Sequence, residues 1–169
     1  FSFLWSDSHF SIPPRTVELT PSDLTYTSPP LPDGKSHYFH LRSVDANGEW
    51  GETSHLGPFW IDTTPPALPT DVVSSSHKVG VWSSTNVIDI KWSATSPQSE
   101  GESVLRGYSI VWDRQPFTLP PAEINVGPAV TALSTPPLVD GVWYLHLRPA
   151  DVAGNWTGDA VHLGPFQID

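Results

Sequence analysis

The run His162-Leu163-Gly164-Pro165-Phe166-Gln167-Ile168-Asp169 repeats an earlier one, His55-Leu56-Gly57-Pro58-Phe59-Trp60-Ile61-Asp62, at an offset of 107. Self-similarity at a fixed spacing means one structural unit used twice, and it constrains the fold more than any composition figure. The same offset carries Phe1-Ser2-Phe3-Leu4-Trp5 onto Tyr108-Ser109-Ile110-Val111-Trp112, and Ser28-Pro29-Pro30-Leu31 onto Thr135-Pro136-Pro137-Leu138. Between them, Tyr38-Phe39-His40-Leu41-Arg42 matches Tyr144-Leu145-His146-Leu147-Arg148 at 106. One residue is gained after Asp33-Gly34 and one is lost after Trp50, both where turns are expected and tolerated.

Phe1 corresponds to Tyr108, so nothing in the first copy matches residues 62–107 of the second. That stretch holds Val72-Val73 and the alternating run Val87-Ile88-Asp89-Ile90-Lys91-Trp92, each bounded by turn residues, which predicts two strands. A first copy without them has an open sheet edge and half a core. Residues 1–61 alone are therefore expected to be unstable. The favoured source of the missing strands is the same chain upstream; a cleaved partner segment or another molecule in trans are the alternatives.

Nineteen prolines and twelve glycines against 15% charged residues fit short strands and many turns, with almost no helix. In the complete copy, strands are expected near 70–75, 86–94, 105–113, 122–126, 130–134, 142–150 and 160–168. Seven such strands predict an all-β sandwich. On 142–150, Trp143, Leu145 and Leu147 share the inward face, replaced by His37, Phe39 and Leu41 in the first copy, while Tyr144, His146 and Arg148 face outward. Pro149 lacks a donor and belongs where a ladder ends. The domain reading is a partial repeat over 1–61, a semi-rigid proline-rich linker over 62–69 and a complete repeat over 70–169.

The proline-containing first strand, Trp92 ending the second, Gly107-Tyr108-x-Ile110 in the third and the long strand into Ala150-Asp151-x-x-Gly154-Asn155 resemble a fibronectin type III domain or a bacterial Ig-like relative. Where those domains place a strand tyrosine this chain has Trp143 and His37, with Tyr144 and Tyr38 one step later. The resemblance implies two tandem Ig-like β-sandwiches, the first lacking its first two strands, of the kind found in large secreted or cell-surface bacterial proteins.

A net charge of −10 and a pI near 4.9 argue against nucleic acid and anionic membranes as partners. No run of 18 apolar residues is present, so membrane insertion is not expected. There is no cysteine, hence no disulfide framework and no zinc-thiolate site, which leans towards a bacterial or archaeal surface. The absence of methionine and of a basic leader leads us to expect a fragment or processed product of something longer.

The loops Asp45-Ala46-Asn47-Gly48-Glu49 and Asp151-Val152-Ala153-Gly154-Asn155 make Asp45, Asn47, Asp151 and Asn155 candidate calcium ligands, because calcium takes many oxygens. The plainer reading is a tight turn, in which Asp and Asn bond their own backbone. His40 and His55 recur as His146 and His162. If Asp45 faces Trp50, then His40 faces His55, and an outward cross-strand pair is favoured over a metal, which needs further ligands. The extra residue after Trp156 is expected to shift that pairing in the second copy. Trp5, Trp92, Trp112 and Trp143 read as packed, whereas Trp50 and Trp156 are candidate glycan platforms or lids over the sandwich end. No catalytic motif is found, and no cofactor is expected.

The expected function is a non-enzymatic structural or adhesive spacer of a secreted or surface protein, whose partners are neighbouring domains or chains. Alternatives are a carbohydrate-binding accessory module of a secreted enzyme, with polysaccharide as partner, and a filament or surface-layer segment using strand complementation.

Overall fold

The computed structural model of the protein describes residues 1–94 and 103–169, and among these every regular element is a strand. The chain divides into two compact units, Phe1–Asp62 and Thr63–Asp169.

In the second unit, β4 (Thr70–Ser74), β6 (Asp89–Ser93) and β8 (Ala132–Ser134) form one sheet in the order β4-β6-β8. A second sheet runs β5-β10-β9-β7, from β5 (Trp82–Ser83), β7 (Leu105–Asp113), β9 (Gly141–Asp151) and β10 (Val161–Ile168). The core lies between them. Ile88, Ile90 and Trp92 come from the first sheet and its entry, and Tyr108, Ile110, Leu145, Leu147, Phe166 and Ile168 from the second. Period-2 alternation puts the intervening Lys91 in solvent. Each fully buried aliphatic or aromatic side chain contributes roughly 1.5–3 kcal/mol.

The segment expected as a strand over 122–126 is not one; a single bridge, Tyr108↔Val126, remains. The reason is Asn125, whose Oδ1 accepts the Ile110 N–H at 2.8 Å and whose Nδ2 donates to the Ile110 carbonyl at 2.8 Å. A side chain has taken the place of a backbone ladder. The expected spans 86–94 and 130–134 are shorter in the structure, and β5, which pairs in parallel with β10 through Gln167↔Trp82, has no sequence signal because it is two residues long. The β9–β10 ladder ends at Leu147↔Val161, so the missing donor of Pro149 falls just beyond it. The ladder to β7 continues to Asp151.

In the first unit, β1 (Ser2–Ser6), β2 (Gly34–Arg42) and β3 (Ser54–Ile61) make one antiparallel sheet in the order β1-β2-β3. Its pairs Phe3↔Leu41 and Trp5↔Phe39 reproduce Ile110↔Leu147 and Trp112↔Leu145. The loop after β1 is reproduced too: Leu19 N–H donates to the Phe1 carbonyl as Val126 N–H does to that of Tyr108, and Glu18 Oε2 accepts the Phe3 N–H at 3.0 Å where Asn125 serves Ile110. The repeat in sequence is therefore a repeat in hydrogen bonding.

Gly57 and Gly164 hold φ of 140° and 151° ahead of cis prolines. A Cβ on Gly164 would lie 2.7 Å from Tyr144 Cδ1 and 2.9 Å from the Trp143 carbonyl oxygen. Only glycine fits where β10 presses this closely on β9.

Candidate functional site

Residue chemistry that could serve a ligand collects in three places in each copy, and in each place the contacts are internal. At the β9 end, Asp151 Oδ1 accepts the N–H groups of Gly154 and Asn155 at 2.8 Å each, and Asn155 Nδ2 donates to Oδ2 at 3.0 Å. In the first unit Asp45 Oδ1 accepts from Asn47 N–H at 2.9 Å and Glu49 N–H at 2.8 Å. The backbone N–H of Glu49, with lesser contributions from Asn47 and Gly48, holds the Asp45 carboxyl below its ordinary pKa against the opposing effect of desolvation. The four candidate calcium ligands thus build two Asx-type turns, and Asp151 is buried. Among the described residues no group of three or more His, Asp or Glu is arranged to hold a metal ion.

Trp50 and Trp156 sit after these turns, bridged to Val44 and Ala150. The guanidinium of Arg42 lies 4.7 Å from the Trp50 ring centroid and that of Arg148 lies 5.3 Å from that of Trp156, so each indole has one face covered by a cation from its own unit. Arg148 is held in turn, Nε donating to the Thr157 carbonyl at 2.7 Å and Nη1 to that of Pro120 at 3.0 Å. Trp60, at 72% exposure, and Trp82 are far more open to solvent.

The histidine pairs differ from expectation in two ways. The second copy keeps the pairing rather than shifting it: His146 faces His162 as His40 faces His55, because the extra residue is absorbed in the 157–160 turn. Nor does the first member of each pair face solvent, since His40 and His146 are both 0% exposed. The loops after β1 and β7 fold across this face, burying their own Pro13 and Pro120 and setting the rings of Phe10 and Phe117 edge-on to His55 and His162. Alternation told which side each residue takes but not that a loop would cover the outer side.

The Nδ1 atoms stand 2.7 Å apart in both pairs. One proton is shared at that distance, so one ring donates and the other accepts. His146 Nε2 faces Asp113 Oδ1 at 3.1 Å and donates to it; His162 Nδ1–H then donates to His146. In the first unit Ser6 takes the Asp113 position, its Oγ 2.9 Å from His40 Nε2. Desolvation, and then the neighbouring His55, hold His40 below the usual imidazole pKa. Desolvation and then His146 do the same to His162, with Asp159 opposing. Desolvation works against ionisation of Asp113, but Thr118 Oγ1, the Gln115 N–H and His146 outweigh it and its pKa is lowered.

One apolar face of the first unit's sheet is only partly covered by its own unit among the described residues. Trp5, Phe39 and Phe59 pack ring to ring, with Trp5 5.2 Å from Phe39 and 5.6 Å from Phe59 between centroids, and Tyr26 stacks on Phe39 at 5.6 Å. Above them opens a cleft of about 600 Å³, also lined by Leu24, Leu41 and Ile61. Phe59 is 36% exposed where its counterpart Phe166 is 0%. The sequence signal for this cleft is the unmatched stretch 62–107.

No known family profile matches the chain, and no curated protein matches it. Among solved structures it has a likeness to the crystal structure of the Clostridium perfringens spore cortex lytic enzyme SleM, at TM-score 0.37 and 17% identity, covering 59% of this chain. The chain spans 27% of that protein's length.

Proposed function

We propose that both units are fibronectin type III-like, or bacterial Ig-like, sandwich modules and that they serve as a non-enzymatic structural or adhesive spacer in a secreted or surface protein. The fold half of this reading is supported by the strand orders β4-β6-β8 and β10-β9-β7 about one core, which match the two-sheet arrangement of such sandwiches. The functional half is supported by one observation. The duplicated Asp45 and Asp151 carboxylates, both histidine pairs, Trp50 and Trp156 are each engaged inside their own unit, with the histidine–histidine and arginine–indole contacts repeated in both copies and different donors and partners at the carboxylates and at Ser6 and Asp113.

Exposed Trp60 and Trp82 favour a second reading, a module that stacks on polysaccharide. Tryptophan emission of the whole chain, titrated with soluble polysaccharides, separates the two. The spacer reading expects no change. A saturable shift that Trp60→Ala or Trp82→Ala removes would overturn it.

A further inference from the structure

We propose that the loop after β1, residues 7–14, is an acid-released latch on the outer face of the first sheet, worked by His9, His40 and His55, and that the matching loop of the second unit stays closed under the same mild acid. This goes beyond the spacer reading and does not depend on it. In both copies the last residue of the strand, Ser6 of β1 or Asp113 of β7, ties the loop to the buried histidine. Ser6 Oγ stands 2.8 Å from Ser11 Oγ and 2.9 Å from His40 Nε2. Asp113 Oδ2 accepts from Thr118 Oγ1 at 2.5 Å, and its Oδ1 accepts from His146 Nε2 at 3.1 Å. Loop and histidine pair are one hydrogen-bonded network in each copy, so a change of charge at the pair reaches the loop.

What faces the pair differs between the copies. In the second unit Asp113 lies at one end and Asp159 at the other, its Oδ1 3.8 Å from His162 Nε2. A proton added at His162 Nε2 breaks none of these hydrogen bonds and lies between two carboxylates. The loop has Pro116 at the repeat position of His9, and its one charged residue, Arg114, turns to the Asp140 carbonyl and the Trp143 ring. Two further bonds hold this loop: Gln115 N–H donates to Asp113 Oδ1 at 2.8 Å, and Arg148 Nη1 to the Pro120 carbonyl at 3.0 Å.

In the first unit Ser6 offers a hydroxyl and no charge. His9 comes from the loop itself, its ring 5.8 Å from that of His55 and 5.3 Å from that of Tyr38 between centroids; Tyr38 lies 6.4 Å from His40 and supplies no carboxylate. Among the described residues no carboxylate forms an ion pair with His9, His40 or His55, neither Asp7 on the loop nor Glu52 at the repeat position of Asp159. Arg42, the match of Arg148, has its Nε buried without a hydrogen-bond partner. Histidine takes up protons just below neutrality, which here puts positive charge on the loop and on the sheet with no anion between them. Burial first, then His55 and, more weakly, His9 disfavour a charge on His40, against the Ser8 carbonyl. Opening the loop relieves that burial, so the open form binds protons more tightly and acid shifts the loop towards it.

The test follows the whole chain by NMR from about pH 7.5 to about pH 5. It reads the cross-peaks between the rings of Phe10 and His55 and between those of Phe117 and His162, with the cross-strand contact of Leu4 and His40 as the control for a folded sheet. The expected result is about tenfold or greater loss of the Phe10–His55 cross-peak at the acid end, with the other two kept within about twofold. His9→Asn, which removes the loop charge, and Ser6→Asp, which supplies the carboxylate of the second copy, are each expected to keep the Phe10–His55 contact. Persistence of that contact in the wild type at the acid end overturns the proposal, as does its loss together with the Leu4–His40 contact or an equal loss in both units. A loss that both variants leave unchanged also overturns it.

Discussion

Phe59 and Phe166 are one repeat position in two environments, so the same truncation measures what the covering sheet adds. Phe166 is fully buried, with its ring 5.9 Å from Trp112 and 6.3 Å from His77 between centroids. Phe166→Ala loses the transfer free energy of the ring and leaves an enclosed void, and such changes cost about 3–5 kcal/mol. Phe59 keeps about a third of its area in water and touches residues of its own sheet. Phe59→Ala forfeits the smaller transfer contribution, about 1–2 kcal/mol, and leaves no sealed cavity because the cleft is open to solvent. Trp5, 5.6 Å from Phe59, and Trp112, 5.9 Å from Phe166, are matched reporters. Urea titration followed through their indole N–H resonances gives the stability of each unit separately. Equal costs for the two substitutions, within about 0.5 kcal/mol, would refute the reasoning, since they would mean that the second sheet adds nothing to burial at this position.

Three further outcomes are expected. His40 and His162 have folded pKa values below the ordinary 6.5, so the unfolded chain binds more protons in the window just below 6.5; both units lose stability as pH falls through it, and the lowered carboxyl of Asp113 adds to the loss in the second unit below its ordinary 3.8. Melting temperatures that stay flat from about pH 7.5 to about pH 5 would contradict this. Gly164→Ala forces a Cβ against Tyr144 and the Trp143 carbonyl and should cost the second unit about 1–3 kcal/mol, read by thermal unfolding; a neutral effect would show that β10 can move aside. Asp151→Ala removes the buried carboxylate that accepts from Gly154, which is exposed, and Asn155, which is half-buried, and should cost about 0.5–1.5 kcal/mol, with calcium leaving the wild-type melting temperature unchanged; a calcium-dependent rise would assign the turn to the ion instead.

Several particulars were legible in the sequence. Ile88, Ile90 and Trp92 as one buried face, Leu145 and Leu147 opposite them and the turns at Asp45 and Asp151 follow from period-2 alternation and Asx chemistry, which act within a few residues. Matching offsets also showed that residues 62–107 of the second copy have no counterpart in the first. The rest depended on distant partners. Asn125 displacing a ladder and the two-residue β5 are settled by neighbours far along the chain.

The repeated unit at an offset of 107, and the lack of a match to residues 62–107 within residues 1–61, belong to the sequence alone, because comparing residues needs no coordinates. Tertiary structure decided which repeated residues are occupied. Burial of His40 and His146 depends on loops crossing the outer face of each sheet, and Trp5, Phe39 and Phe59 stay only partly buried because no second sheet faces them among the described residues. Alternation assigns a side chain to one face of a sheet; only the packing of other elements determines whether that face meets protein or water.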